Sequence, residues 1–311
     1  MGKSSNIAII GTGSAAYEHF KCLKLLNSNK IYIVTRKKKN HKIKKFKNKK
    51  TKIIEGLHNI PSDTDAFVVA TPWYVNDKIV NFFKFEKKPI LFEKPLGAFN
   101  SNYKFIKYKK NKYVGVNRRY FKTISYVKKL LNNENYQILD VDVRISEKYL
   151  LFKKRFKNHL SKIYFFSSIH MIDLIIFLFD SPKNIIKLRS SKSRNFFKNK
   201  HFYFKYKKFN LSLNIYDDTC ENNSITLRFT NGEKIVIKPL EKLQHYDKLI
   251  IKKINDKKFY IPHVKKEIIE KNSHLKPGFF VQMKLFIENK LSINIQMYTN
   301  TLKLIRYLSN A

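Results

Sequence analysis

The chain is poor in the residues that cross-link, kink or interrupt a backbone. Of its 311 residues only two are Cys, eight are Pro, eight are Gly and one is Trp. Cys22 and Cys220 are too few for a disulfide framework or for a zinc site of their own. A reduced, cytoplasmic setting is therefore expected. Long hydrophobic runs are missing as well. Met171–Phe179 contains Asp173 and falls well short of the roughly 20 residues of a membrane span. Ile7–Ile10 is too short for a signal-peptide core, and Asn6 stands where a myristoylation signal takes Ser or Thr. A soluble protein without a membrane partner is expected. Acidic side chains are also scarce, 23 against 64 Lys plus Arg.

What is present offsets these absences. Hydrophobic residues make up 43% of the chain and aromatics 14%, enough for a sizeable core and incompatible with general disorder. At roughly one domain per 100–200 residues, two domains are expected. The net charge of +41 points at first to nucleic acid or anionic lipid. Its make-up argues otherwise: 55 of the basic residues are Lys and 9 are Arg. Lys, Asn, Ile, Phe and Tyr share A/T-rich codons, whereas Arg is the residue suited to bidentate phosphate and base contacts. Codon composition explains the charge, and nucleic acid is not an expected partner. One local run, Arg36–Lys52, holds 11 basic residues in 17. It sustains an alternative reading as a non-catalytic polyanion-binding protein, although Phe46 is its only aromatic.

Periodicity divides the chain in two. Short apolar runs at Ile7–Ile10, Ile31–Val34, Lys52–Glu55, Ala66–Ala70, Pro89–Phe92 and Val114–Val116 read as buried parallel strands. Helical spacing over Ala15–Leu26 and Val75–Phe85 falls between them. This predicts a doubly wound α/β Rossmann domain over residues 1–118. Residues 119–311 predict an α+β domain on a mostly antiparallel sheet. Helices are expected at Tyr126–Leu131, from about Ser167 to Phe179, at Phe279–Glu288 and at Thr299–Leu308. Ile138–Ile145, Phe202–Tyr206, Leu211–Tyr216, Ser224–Phe229 and Lys234–Ile237 alternate as antiparallel strands, the last two joined by the hairpin signal Asn231-Gly232.

The chemistry begins at Gly11-Thr12-Gly13-Ser14-Ala15-Ala16, which follows a strand and opens a helix. In a dinucleotide fingerprint the first Gly makes the turn and the second admits the pyrophosphate. The third small residue, here Ala16, lets helix and strand pack closely. An NAD-preferring site places an acid about 20 residues further on. Here that place holds Thr35-Arg36-Lys37, which would suit a 2′-phosphate, so NADP is the preferred cofactor and NAD the second choice. His41, His58, His159, His245 and the other histidines outside the later motif, His19 among them, show no partner spacing and read as surface residues.

Further motifs follow in series: Ala70-Thr71-Pro72, Glu93-Lys94-Pro95-Leu96, Gly115-Val116-Asn117-Arg118-Arg119-Tyr120 and His170-x-x-Asp173. With the glycine turn, they resemble the glucose–fructose oxidoreductase / inositol dehydrogenase / MocA family over residues 6 to about 180. The resemblance implies an NAD(P)-dependent oxidoreductase acting on CH–OH groups of a sugar, nucleotide-sugar or cyclitol. It implies that Thr71, Pro72 and Asn76 line the cofactor site with Ala70, that Glu93 lies near the nicotinamide ribose and that Lys94 reaches the reacting oxygen. His170 would be the acid/base, and Asp173, one helical turn away, would orient the imidazole or bind a substrate hydroxyl. Asn117 would help bind substrate, and Arg119, with Arg118 and Tyr120, would either bind substrate or lie at the domain junction. A cis Lys94-Pro95 bond and a homo-oligomer, dimer or tetramer, are implied too; no metal is. The segment Ile163–His170 carries aromatics where members have Gly, and Asn76 stands where many have His, so the substrate pocket should differ in shape. An imine- or tetrapyrrole-type reductase of the same fold is the alternative within enzymes.

Overall fold

The computed structural model describes residues 5–37, 41–96, 110–192, 198–217, 220–270, 274–293 and 295–310. The chain forms two compact units, Met1–Tyr120 with Asn272–Arg306 and Phe121–Lys271 with Tyr307–Ala311. Elements run in the order β1 (Ile7–Ile10), α1 (Ser14–Leu25), β2 (Ile31–Thr35), β3 (Thr51–Glu55), β4 (Ala66–Val69), α2 (Asn76–Phe82), β5 (Ile90–Glu93) and β6 (Lys112–Gly115). There follow α3 (Lys122–Leu131), β7 (Ile138–Glu147), α4 (Tyr149–Arg155), α5 (Ile163–Phe166) and α6 (Ile169–Phe179). Strands β8 (Asn184–Lys192), β9 (Lys198–Lys205), β10 (Asn210–Asp217), β11 (Ser224–Phe229) and β12 (Lys234–Ile237) come next. Last are β13 (Lys242–Ile254), β14 (Lys257–Ile269), α7 (Phe279–Ile287) and α8 (Ile295–Asn310).

The first unit is a six-stranded parallel sheet in the order β3-β2-β1-β4-β5-β6, the Rossmann order. Its central strands are apolar without alternation because both faces are covered: every residue of β1, β2 and β4 is buried. On one face α1 packs through Ala16, Phe20 and Leu23, and α7 joins the same core through Phe279, Met283 and Phe286. Each such side chain contributes about 1.5–3 kcal/mol when fully withdrawn from water. Lys112 explains why the start of β6 is hard to see in the sequence. Its stem is buried in the sheet while Nζ donates to Glu86 O and Lys88 O, both at 2.8 Å. The helical pattern of Val75–Phe85 is realised only over the seven residues of α2.

The second unit is an eight-stranded sheet, β14-β13-β12-β11-β7-β10-β9-β8. It is mostly antiparallel, and Asn231-Gly232 does join β11 to β12 in a hairpin. One expectation needs correction. Strand β7 is antiparallel to β11 but parallel to β10 along its other edge, so alternation reports one solvated face and not strand direction. Strands β8, β13 and β14 have no counterpart in the sequence reading, because lysines interrupt their apolar pattern. His245 also corrects its assignment to the surface. It is fully buried, 2.8 Å from Tyr126 Oη and 2.5 Å from Glu233 Oε2, and burial holds its imidazole below the ordinary value. Among the described residues no helix is long and apolar enough to cross a membrane, and no cluster of potential metal ligands occurs.

The two thiols differ sharply. Cys22 is buried in the α1 core, and burial, with Glu18 adding to it, raises its thiol to about 12. Cys220 is exposed. A thiol-reactive chromogen at pH 8 should therefore label one thiol in the native protein, and two after denaturation. Two equivalents labelled at once in native protein would contradict the packing of α1.

Candidate functional site

In the first unit the carboxyl ends of the parallel strands gather the predicted cofactor residues. Strand order reverses between β1 and β4, the place where open α/β sheets bind ligands. Gly11 follows β1 with φ +119°, and a Cβ there would lie 2.5 Å from Ala70 O. The approach is fixed by the backbone, since Ala70 N donates to Ile10 O at 2.9 Å. Only Gly fits. Gly13 is different. Its φ is −73°, and a Cβ would meet nothing within 4 Å. Gly13 is exposed and is the N-cap of α1, where no side chain caps the helix and no acid occupies the first turn. The first-turn N–H groups and the dipole therefore meet solvent at a place where a bulky residue would stand in the way of a phosphate.

Around this turn, Thr35 closes β2 with its hydroxyl buried and directed at Lys37 O (3.4 Å), whereas Arg36 and Lys37 are exposed. Residues 38–40 of the basic run lie outside the described residues. Lys45 was not singled out by the sequence, where it is one lysine among many. A 3-10 turn over His41–Phe46 brings its Nζ to 3.3 Å from Gly13 O and 5.0 Å from the Tyr17 ring centre. Burial, with Lys42 adding to it, holds the Lys45 ammonium below the usual lysine value. Thr71 is half-buried and Pro72 exposed after β4; Asn76 opens α2.

Strand β5 ends at Glu93, and the Lys94–Pro95 bond that follows is cis. Lys94 is half-buried. Glu93 Oε1 lies 2.7 Å from Nε2 of His19 on α1, and His19 is wholly buried, which corrects its assignment to the surface: the Glu93 carboxylate and the Phe279 ring cover its imidazole. No motif spacing links two residues 74 apart; their pairing is visible only after folding. Beyond β6, a 3-10 turn carries Asn117, whose Nδ2 donates to Pro277 O at 2.9 Å, and Arg119, which is buried. Arg119 thus sits within the fold more than at its surface.

His170 and Asp173 belong to the second unit, on α6. Asp173 is buried and His170 half-buried, one turn apart on the same helix. Just before the helix stands Ser168, whose hydroxyl donates to Glu147 at the end of β7; both residues are buried.

No sequence-family model matches the chain, and no curated protein sequence matches it. Solved structures do. UDP-N-acetylglucosamine 3-dehydrogenase from Acidithiobacillus ferrooxidans superposes with a TM-score of 0.72 at 10% identity, covering 99% of this chain and 97% of that one. The chain has the fold of these dehydrogenases. An oxidoreductase from Agrobacterium radiobacter, solved with NAD+, L-tartaric acid and magnesium, gives 0.74 at 14% identity, with 99% and 96% covered. Levoglucosan dehydrogenase in complex with NADH gives 0.71 at 13% identity, with 98% and 96% covered. The likeness spans essentially whole chains, so both predicted parts of the architecture, the parallel and the mostly antiparallel sheet, belong to it.

Proposed function

We propose that this chain is an NAD(P)-dependent oxidoreductase of the glucose–fructose oxidoreductase / inositol dehydrogenase / MocA type, acting on a CH–OH group of a sugar, nucleotide-sugar or cyclitol. The observation that carries this reading is the contrast at the first turn. Gly11 is demanded by the fold itself, whereas Gly13 faces open space beside an uncapped helix N-terminus. The residues fit a dinucleotide: α1 N–H groups and Lys45 for the pyrophosphate, Arg36 and Lys37 for an adenosine 2′-phosphate. When bound, the nicotinamide supplies the hydride acceptor or donor.

The chain's own residues supply the rest. Lys94 holds the reacting oxygen and offsets the negative charge that develops there. His170 takes the hydroxyl proton in oxidation and returns it in reduction, a task suited to an imidazole near neutral pH. Asp173 orients the imidazole or holds a neighbouring hydroxyl. Asn117 shapes the substrate side. Support comes from the motif series and from the activities of proteins that share the fold, among them a nucleotide-sugar dehydrogenase and a levoglucosan dehydrogenase.

Two measurements test it. Fluorescence titration should show saturable binding of NADPH, tighter than that of NADH; no binding of either at millimolar concentration would sink the reading. A panel of UDP-N-acetylglucosamine, glucose and myo-inositol should then yield cofactor reduction with at least one member. The coenzyme preference has its own test. Arg36→Asp should weaken NADPH tenfold or more, about 1.4 kcal/mol, and leave NADH within about threefold. Equal losses for both coenzymes would remove Arg36 from 2′-phosphate recognition.

A further inference from the structure

We infer that His19 and Glu93 form a buried clamp that positions Lys94, so that His19 is a positioning residue for the reaction although it touches neither cofactor nor substrate. The inference rests on the reading of Lys94 above. Three elements of the first unit build the clamp. Helix α1 presents His19, which is wholly buried, with Nε2 2.7 Å from Glu93 Oε1. Strand β5 ends at Glu93, the residue before Lys94. Strand β6 supplies Gly115, the register partner of Glu93, where a Cβ would lie 2.9 Å from Oε1 and 3.2 Å from Cδ. The missing side chain at Gly115 is thus the slot that the Glu93 carboxylate fills.

The chemistry of the pair is one-directional. His19 Nδ1 is buried and has no hydrogen-bond partner among the described residues, and the Phe279 ring lies 5.0 Å from the imidazole centre. A proton on Nδ1 would be a buried donor with no acceptor, an arrangement that is strongly disfavoured. The proton therefore sits on Nε2 and is donated to the carboxylate in a charge-assisted bond. With its carboxylate held from α1 and seated against β6, Glu93 leaves the following residue little freedom. Lys94 then starts from a fixed backbone, which reduces the freedom lost when its ammonium engages the reacting oxygen.

The test compares His19→Leu, His19→Gln and Gly115→Ala in the full chain. Leucine keeps the volume without the donor, while glutamine can place an amide N–H near the position of Nε2. Alanine at 115 displaces the carboxylate and leaves His19 untouched. His19→Leu and Gly115→Ala should each lower kcat 10–100-fold with KM for the polyol within about threefold. His19→Gln should recover at least half of that loss on a logarithmic scale. A second readout needs no turnover: peptide-resolved acetylation by an acetyl N-hydroxysuccinimide ester should label Lys94 at least threefold faster in both impaired variants. If His19→Gln falls as far as His19→Leu, or Lys94 labelling is unchanged in both, the clamp is wrong. If the wild type neither binds NADPH nor turns over a polyol, the oxidoreductase reading fails, and Lys94 labelling still decides the clamp. Should His19→Leu unfold, Gly115→Ala decides it.

Discussion

Replacing Lys94 with alanine should lower kcat by about 10²–10³-fold while NADPH binds within about threefold of wild type. This is the range seen when one preorganised group that stabilises charge on a reacting oxygen is lost. The ammonium is asked to supply about 3–4 kcal/mol of transition-state stabilisation, so the loss belongs in kcat more than in KM. Lys94 is half-buried and directly follows the carboxyl end of β5. Arginine at 94 should not rescue, because a planar guanidinium cannot take the place of a compact ammonium. Steady-state kinetics on the substrate found in the panel, with cofactor titration in parallel, checks both halves. A turnover within threefold of wild type would remove Lys94 from the chemistry. A matched loss of NADPH affinity would make it a cofactor ligand instead.

The two glycines of the first turn should respond in opposite ways. Gly11→Ala should destabilise the protein by about 3 kcal/mol or more. The backbone stands at φ +119°, strained for any L side chain, and the new Cβ would press on Ala70 O at 2.5 Å. Neither strand can retreat, since β1 and β4 are hydrogen-bonded in register. At about 2–4 °C per kcal/mol for a chain of this class, the melting temperature should fall by about 6–12 °C. Gly13→Val should leave the ligand-free melting temperature within about 2 °C, because its extended backbone suits a β-branched residue and no atom lies within 4 Å. Its cost should appear on binding, with NADPH affinity down 100-fold or more, about 2.7 kcal/mol. Wild-type affinity in Gly13→Val would mean that no pyrophosphate approaches this turn. Thermal melts with and without NADPH separate the two variants in one experiment.

Much of the first unit is legible in the sequence, since a strand buried on both faces must be apolar at every position. Ile7–Ile10 and Ile31–Val34 announce themselves in this way, and Gly11-x-Gly13 marks the turn between strand and helix. The exceptions share one cause. Lys112 starts β6 with a buried aliphatic stem and a head bonded to two carbonyls, so its polarity conceals a core position. His245 is hidden similarly, as a titratable residue buried by partners on α3 and in the turn after β11. In β13 and β14 lysines break the period, and these strands are held by their pairing with each other.

For the candidate site the division is sharper. Residue types and their order come from the chain alone: the glycine turn, Thr35-Arg36-Lys37, Glu93-Lys94-Pro95 and His170-x-x-Asp173 can be read without a fold, because each is local. Contacts between distant segments could be decided only by the tertiary structure. His19 meets Glu93 across 74 residues, Lys45 turns back onto Gly13, and Asn272–Arg306 folds with the first 120 residues. Hydrophobic period encodes which face of an element is buried, but not which other face covers it. The basic charge shows the same split. Its excess is a matter of composition, whereas the placing of one lysine, Lys45, beside the turn that should bind phosphate is a matter of folding.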